Sequence, residues 1–220
     1  MLMNSGKIFA LAALWALATS ASAISGKAVA GVVLDKASGK PIPGAIVIAS
    51  WTGHRASLAH GESVCYHVET ARADAKGAYR IPAWTEEFSW RTARISSRML
   101  TVAAFQPGYV ELAGAYSSGG PVYLVPQGPV DYLAYLDALS KRSMCPGART
   151  SRHNLYRLFD ALVAQANLVA VTPAQRRIVG YMTQARDEYL VNMSKPIKIT
   201  GKGMVNVNPA DSYHKEDLLK

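Results

Sequence analysis

The sequence predicts an α+β protein: an antiparallel β-sandwich followed by about three amphipathic helices. Two observations carry this. From Ala28 to about Val125, short runs of valine, isoleucine and aromatic residues alternate with clusters of glycine, proline and aspartate, the pattern of strands separated by turns. From Val130 onward the apolar residues recur every three or four positions, the period of a helix buried on one side. The change falls near Pro126 to Pro129. It divides the chain into residues 1–23, a signal peptide, 24–128, a sandwich domain, 129–194, a helical segment, and 195–220, a polar basic tail.

Taken in order, the N-terminal segment has Lys7 as its only charge, then an apolar run from Ile8 to Ala18, then Ala21-Ser22-Ala23. Charge, short apolar run and small-x-small triplet are the order of a cleavable secretory leader. The run is too short to cross a bilayer, which takes about 20 apolar residues in a helix. The expected mature chain begins near Ile24, has no transmembrane segment, and is periplasmic or secreted. The first strand, Lys27 to Asp35, stops at Gly39, Pro41, Pro43 and Gly44. The run Ala45 to Trp51 is a second strand. Two alternating segments, "YHVETARA" and "AYRIPAW", flank Asp74 to Gly77. Aspartate bonding its own backbone and glycine taking positive φ make that tetrapeptide a hairpin turn. "RMLTVAAF" is a further strand stopped by Gln106 to Tyr109, and Gly120 to Pro126 is a last short one. Trp51 and Trp84 close alternating strands and belong in the core.

In the second half, "VDYLAYLDALSKR" is a first helix. The next places Leu155, Leu158, Phe159, Leu162, Val163, Ala166 and Val169 on one face. The third begins with Thr172 as N-cap, Pro173 in the first helical position and Gln175 completing a capping box. Ile178, Met182, Ala185 and Tyr189 form its apolar face. Such stripes are core-forming. The tail has room for one strand at Ile197 to Thr200.

Export gives the two cysteines a meaning. In an oxidising compartment an even pair is a disulfide, and Cys65 with Cys145 is the only intramolecular pairing two cysteines allow. The full chain carries 24 basic and 15 acidic residues, a net charge of +9. Loss of Lys7 with the leader leaves 23 against 15, or +8. That balance suits an anionic envelope component. The basic residues are spread rather than packed into a run, so nucleic acid is not the expected partner.

The first half resembles a known family. Gly31, Val33 and Asp35 in the first strand carry the likeness, with Gly39, Pro41, Ile42, Gly44, Ala45 and Val47 through the first turn and second strand. Asp74, Gly77, Tyr79 and Ile81 at the hairpin, and Pro107, Gly108 and Tyr109 after a later strand, complete it. Together they are similar to the carboxypeptidase regulatory-like domain, a transthyretin-like (prealbumin-like) β-sandwich, over residues 28 to about 125. The resemblance implies an accessory interaction module without catalytic residues. The family usually has threonine where this chain has Ala73, and the segment Thr52 to Val64 is longer than a simple turn. The peptidase's own His-x-x-Glu zinc pattern is missing: His60-Gly61-Glu62 and His67-Val68-Glu69 have the wrong spacing. The hydroxyisourate-hydrolase branch of the transthyretin family ends in a Tyr-Arg-Gly-Ser-like tail, which "HKEDLLK" does not match.

The one polar cluster with chemistry in it lies between His54 and Glu69. His54, His60, Glu62, His67 and Glu69 join Cys65 there, and imidazole, carboxylate and thiolate suit zinc or copper. In the competing reading Cys65 is spent on a disulfide, His67 and Glu69 face solvent, Tyr66 and Val68 face the core, and no cofactor is bound. A second surface is Trp90 among Arg91, Arg94 and Arg98, which suits anionic or carbohydrate contact. A third is basic: Lys141, Arg142, Arg149, Arg152 and Arg157, with no acid between Asp137 and Asp160. No Gly-x-Ser-x-Gly elbow, P-loop or dinucleotide fingerprint occurs.

The expected function is therefore a non-enzymatic exported binding or assembly module of the cell envelope. Its partner is an unidentified protein or an anionic envelope component. The alternatives are a metal-binding protein or metal-dependent enzyme built on the His/Glu cluster, and an inhibitor or immunity-type protein acting through the helical half.

Overall fold

A computed structural model of the chain describes residues 24–55, 62–86, 95–111, 120–128, 131–145 and 155–194. The strands are β1 (Ile24–Gly26), β2 (Val29–Asp35), β3 (Ile46–Arg55), β4 (Glu62–Arg72), β5 (Ala78–Ile81), β6 (Trp84–Glu86), β7 (Ile95–Phe105), β8 (Tyr109–Glu111) and β9 (Val122–Pro126). Three helices follow: α1 (Tyr132–Ser143), α2 (Tyr156–Val169) and α3 (Pro173–Ser194). The expected α+β composition is observed, with strands first and helices last.

The strands form a four-stranded sheet in the order β5-β2-β9-β8, a three-stranded sheet in the order β4-β3-β7, and a two-stranded ribbon, β1-β6. Val29, Val33, Tyr79, Ile81, Val122 and Leu124 of the first sheet share one buried cluster with Val47, Ala49, Trp51, Val102 and Ala104 of the second. The three-stranded sheet is also buried on its other side. Ile48, Val68 and Phe105 join Leu136, Leu139, Leu158, Phe159, Leu162, Val163 and Met182 in a second cluster. The helices thus cover the outer face of β4-β3-β7.

Two expectations about pairing are corrected. The sheets are not wholly antiparallel: β2 and β9 run parallel, Val33 opposite Val122 and Asp35 opposite Leu124. A parallel pair needs a long crossover, and here everything from β3 to β8 intervenes. The turn at Asp74 to Gly77 is not a hairpin either. It forms as expected locally: Asp74 Oδ1 accepts from the amides of Lys76 and Ala78 at 2.8 Å each, and Gly77 takes a φ of 70°. But β4 pairs with β3 (Ile46 opposite Arg72) and β5 pairs with β2 (Gly31 opposite Tyr79). The turn carries the chain from one sheet to the other.

Gly31 shows why that strand needs glycine. A Cβ there would collide with the Gly120 carbonyl and meet the Tyr79 hydroxyl at 2.7 Å, and Tyr79 donates to that same carbonyl at 2.9 Å. At the start of α3 the capping box is complete. The Gln175 amide donates to Thr172 Oγ1 at 3.2 Å, and Gln175 Oε1 accepts from the Thr172 and Val171 amides at 2.9 and 3.0 Å.

Candidate functional site

The polar cluster sits on β4, where one irregularity decides its geometry. Trp51 opposes His67 and Thr52 opposes Cys65, so Tyr66 has no residue opposite it. An extra residue of this kind is a β-bulge, and it resets the alternation of faces. Before the bulge Cys65 points to the helices. After it His67 and Glu69 share the inner face, while Val68 packs against the helical cluster.

The expected solvent position of His67 is therefore corrected. His67 is 3 % exposed because both faces of this sheet are covered. Its ring stacks on Trp84 with centroids 3.6 Å apart and planes 13° apart, and meets Trp51 edge-on at 5.3 Å. Its Nε2 lies 3.0 Å from Glu69 Oε1. Tyr66 completes the wall, 6.3 Å from the Trp84 ring. Burial raises the Tyr66 phenol above its ordinary value, opposed by the charge of Arg98. Gly26 of β1 lies against this aromatic group: a Cβ there would collide with the Trp84 indole and come within 2.9 Å of Trp51 Nε1. The Trp84 Nε1–H is buried with no acceptor. Chemically the group is a buried imidazole stacked on an indole face and paired with a partly exposed carboxylate.

The other candidates separate. Cys65 forms a disulfide with Cys145, Cα to Cα 5.0 Å across a separation of 80 residues, so its sulfur is not a thiolate ligand. His54 pairs with Ser63 and Ser96 and stands three positions from Trp51, on the opposite face of β3 from His67. The described residues include no group of three or more His, Cys, Asp or Glu placed to hold an ion. His60, Trp90, Arg91, Arg94, Arg149, Arg152 and the tail strand at 197–200 lie outside the described residues, as does the side chain of Glu62. Arg98 is exposed on β7.

The basic stretch that begins in the last turn of α1 is partly consumed by structure. Lys141 pairs with Asp137 at 2.6 Å. Arg142 reaches back to Glu111 of β8 at 2.7 Å. Glu111 was not singled out from the sequence, yet it joins the two halves. Its Oε1 accepts the Ala104 amide at 2.8 Å, and its own amide donates to the Tyr135 hydroxyl at 3.3 Å. Burial and the Glu111 carboxylate hold the Tyr135 phenol well above the ordinary range. Tyr132, one turn earlier, accepts from the Gly108 amide at 3.1 Å. The spacing of Tyr132 and Tyr135 on one face of α1 was the available signal.

No family model, no curated protein and no solved structure matches this chain. No helix among the described residues is long and apolar enough to cross a membrane.

Proposed function

We propose that the chain is an exported, non-catalytic binding or assembly module of the cell envelope. In this reading its first half is a transthyretin-like sandwich of the carboxypeptidase regulatory-like kind, and its helices are an added layer that meets a partner. The observation that carries the proposal is the Cys65–Cys145 disulfide, which ties the chain just past α1 to β4 across 80 residues. Such a bond persists in an oxidising compartment, and the leader-like segment before Ile24 supplies the route there. Non-catalytic character is supported by what the polar groups do. Asp74, Thr172, Gln175 and Glu111 are engaged with backbone amides, and His67 is sealed between Trp84, Trp51 and Glu69.

The test is expression with the native N-terminus in a bacterium, followed by fractionation, N-terminal sequencing and thiol titration under denaturing conditions. The expected result is a chain starting near Ile24, in the periplasmic or envelope fraction, with no titratable thiol. A full-length cytoplasmic product with two free thiols would contradict it. Metal that co-purifies stoichiometrically and is lost in a His67→Ala variant would move the reading to the metal-binding alternative.

A further inference from the structure

Among the described residues the α2–α3 hairpin carries the most exposed apolar side chains. Five large hydrophobic residues are exposed among the described residues, and three belong to this hairpin: Leu168 at 76 %, Val171 at 72 % and Tyr181 at 71 %. Both helices already bury a complete face, through Leu158, Phe159 and Leu162 on α2 and Val179 and Met182 on α3. Leu168 and Val171 stand at the tip, one at the end of α2 and the other just before the Thr172 cap. Val171 occupies the position from which an apolar residue usually packs onto the fourth helical residue. Here that residue is Arg176, so the staple has no apolar partner.

Charge is arranged around the same tip. Arg176 and Arg177 are exposed, and the first turn of α3 carries no acid. Two cations near a helix N-terminus oppose the macrodipole, a local cost with no compensation on this helix. The next acids on α3, Asp187 and Glu188, lie about 15 Å further along it at 1.5 Å per residue. That exceeds the roughly 8 Å over which charge is felt at physiological salt. Arg176, Arg177, Gly180 and Tyr181 border a shallow concavity with Pro173 and Gln184.

We propose that the tip of the α2–α3 hairpin docks on an anionic bilayer surface. Leu168 and Val171 enter the boundary of the acyl chains, and Arg176 and Arg177 meet lipid phosphates. Tyr181 sits one turn behind Arg177, about 6 Å along the axis. That matches the roughly 5–8 Å depth of a headgroup layer, where tyrosine is favoured. A protein partner is the weaker fit. Specific interfaces draw about 20–30 residues from each side, whereas this is a projecting tip of two aliphatic residues backed by two arginines. Binding through so few apolar groups is weak, reversible and dependent on anionic lipid. The inference rests on the envelope-module reading for its biological setting, but not for its chemistry.

The experiment is co-sedimentation of the purified, oxidised protein with vesicles of phosphatidylcholine alone or of an equimolar mixture with phosphatidylglycerol. The full chain is compared with L168S/V171S and R176Q/R177Q variants at low and high salt. Circular dichroism of the variants should match the parent because all four side chains are exposed, and R176Q/R177Q should melt at or slightly above it as the unfavourable dipole contact is removed. The expected result is binding to the mixed vesicles only, weakened by salt and reduced roughly tenfold or more by the arginine pair. The aliphatic pair should also reduce it. No sedimentation with the mixed vesicles would overturn the proposal. So would sedimentation that L168S/V171S leaves untouched, which would mean charge adhesion without insertion. Either failure leaves the export and thiol results standing, since those do not depend on lipid binding.

Discussion

The two faces of the β4-β3-β7 sheet are built differently. The inner face meets the other sheet through small and β-branched residues, Val47, Ala49, Val102 and Ala104, and ends in the Trp51–His67–Trp84 aromatic group. The outer face meets the helices through Ile48, Val68 and Phe105, and adds a disulfide and the Glu111–Arg142 pair. The turns at Asp74–Gly77 and Gln106–Tyr109 carry the chain from one sheet to the other, so those crossings of the inner seam close small loops. The helical layer comes late in the chain and closes large ones, which costs more entropy before contacts repay it. The covalent and ionic ties stand in that late layer.

Val47 and Ile48 are neighbours on β3 that serve opposite seams, and substituting each separates the two. Ile48→Ala is expected to cost about 2–5 kcal/mol through lost burial and a residual cavity. It should loosen the helices first, seen as faster amide exchange in α2. Val47→Ala removes fewer methyl groups and is expected to cost about 2 kcal/mol, with exchange rising in β2 and β9 instead. If both variants raise exchange in the same segments, the seams are not separable.

Glu111→Gln probes the polar tie of the outer seam. It leaves the Ala104 amide an acceptor but removes the charge facing Arg142, which is partly exposed. The expected loss is about 1 kcal/mol, read by denaturant melts and reduced further at high salt in the parent alone. Thr172→Ala removes one half of the capping box and is expected to cost about 1 kcal/mol. Its effect should appear as fraying of the first turn of α3, leaving β-sheet signals unmoved.

The helical half was the more legible one. The stripe from Leu155 to Ala166 and the Thr172–Gln175 box depend on residues three or four apart, so their spacing is written in the chain. The disulfide was legible because two cysteines allow one pairing. The β half was legible in its turns but not in its partners. Asp74 and Gly77 announce a turn, yet whether β5 pairs with β4 or β2 depends on which edges are already taken. The Tyr66 bulge moved His67 from a solvent face to the interior, because a second layer covers the sheet and one extra residue flips the alternation. The β1-β6 ribbon and Glu111 had no local signature, since their partners lie far along the chain.

The smallest expected effect lies in the sheet half. Asp35 is held below the ordinary carboxylate value of 3.8 by the Ser38 amide and then by the Ser38 hydroxyl. Its Oδ1 accepts from the Ala37 and Ser38 amides at 2.9 and 2.7 Å. A depressed folded value means stability present above the unfolded value and lost as pH falls through the folded one. Asp35→Asn should therefore lower stability slightly at neutral pH and converge on the parent below about pH 4, which flattens the acid limb. An unchanged acid limb would assign it to other carboxylates.

Hydrogen exchange of the oxidised and the reduced protein, followed segment by segment, tests most directly whether the outer seam depends on its covalent tie. Reduction of Cys65–Cys145 is expected to accelerate exchange across α1, α2 and α3 roughly 30-fold or more, with β2, β5 and β9 close to their oxidised rates. Equal acceleration in the sheets, or none in the helices, would contradict the account.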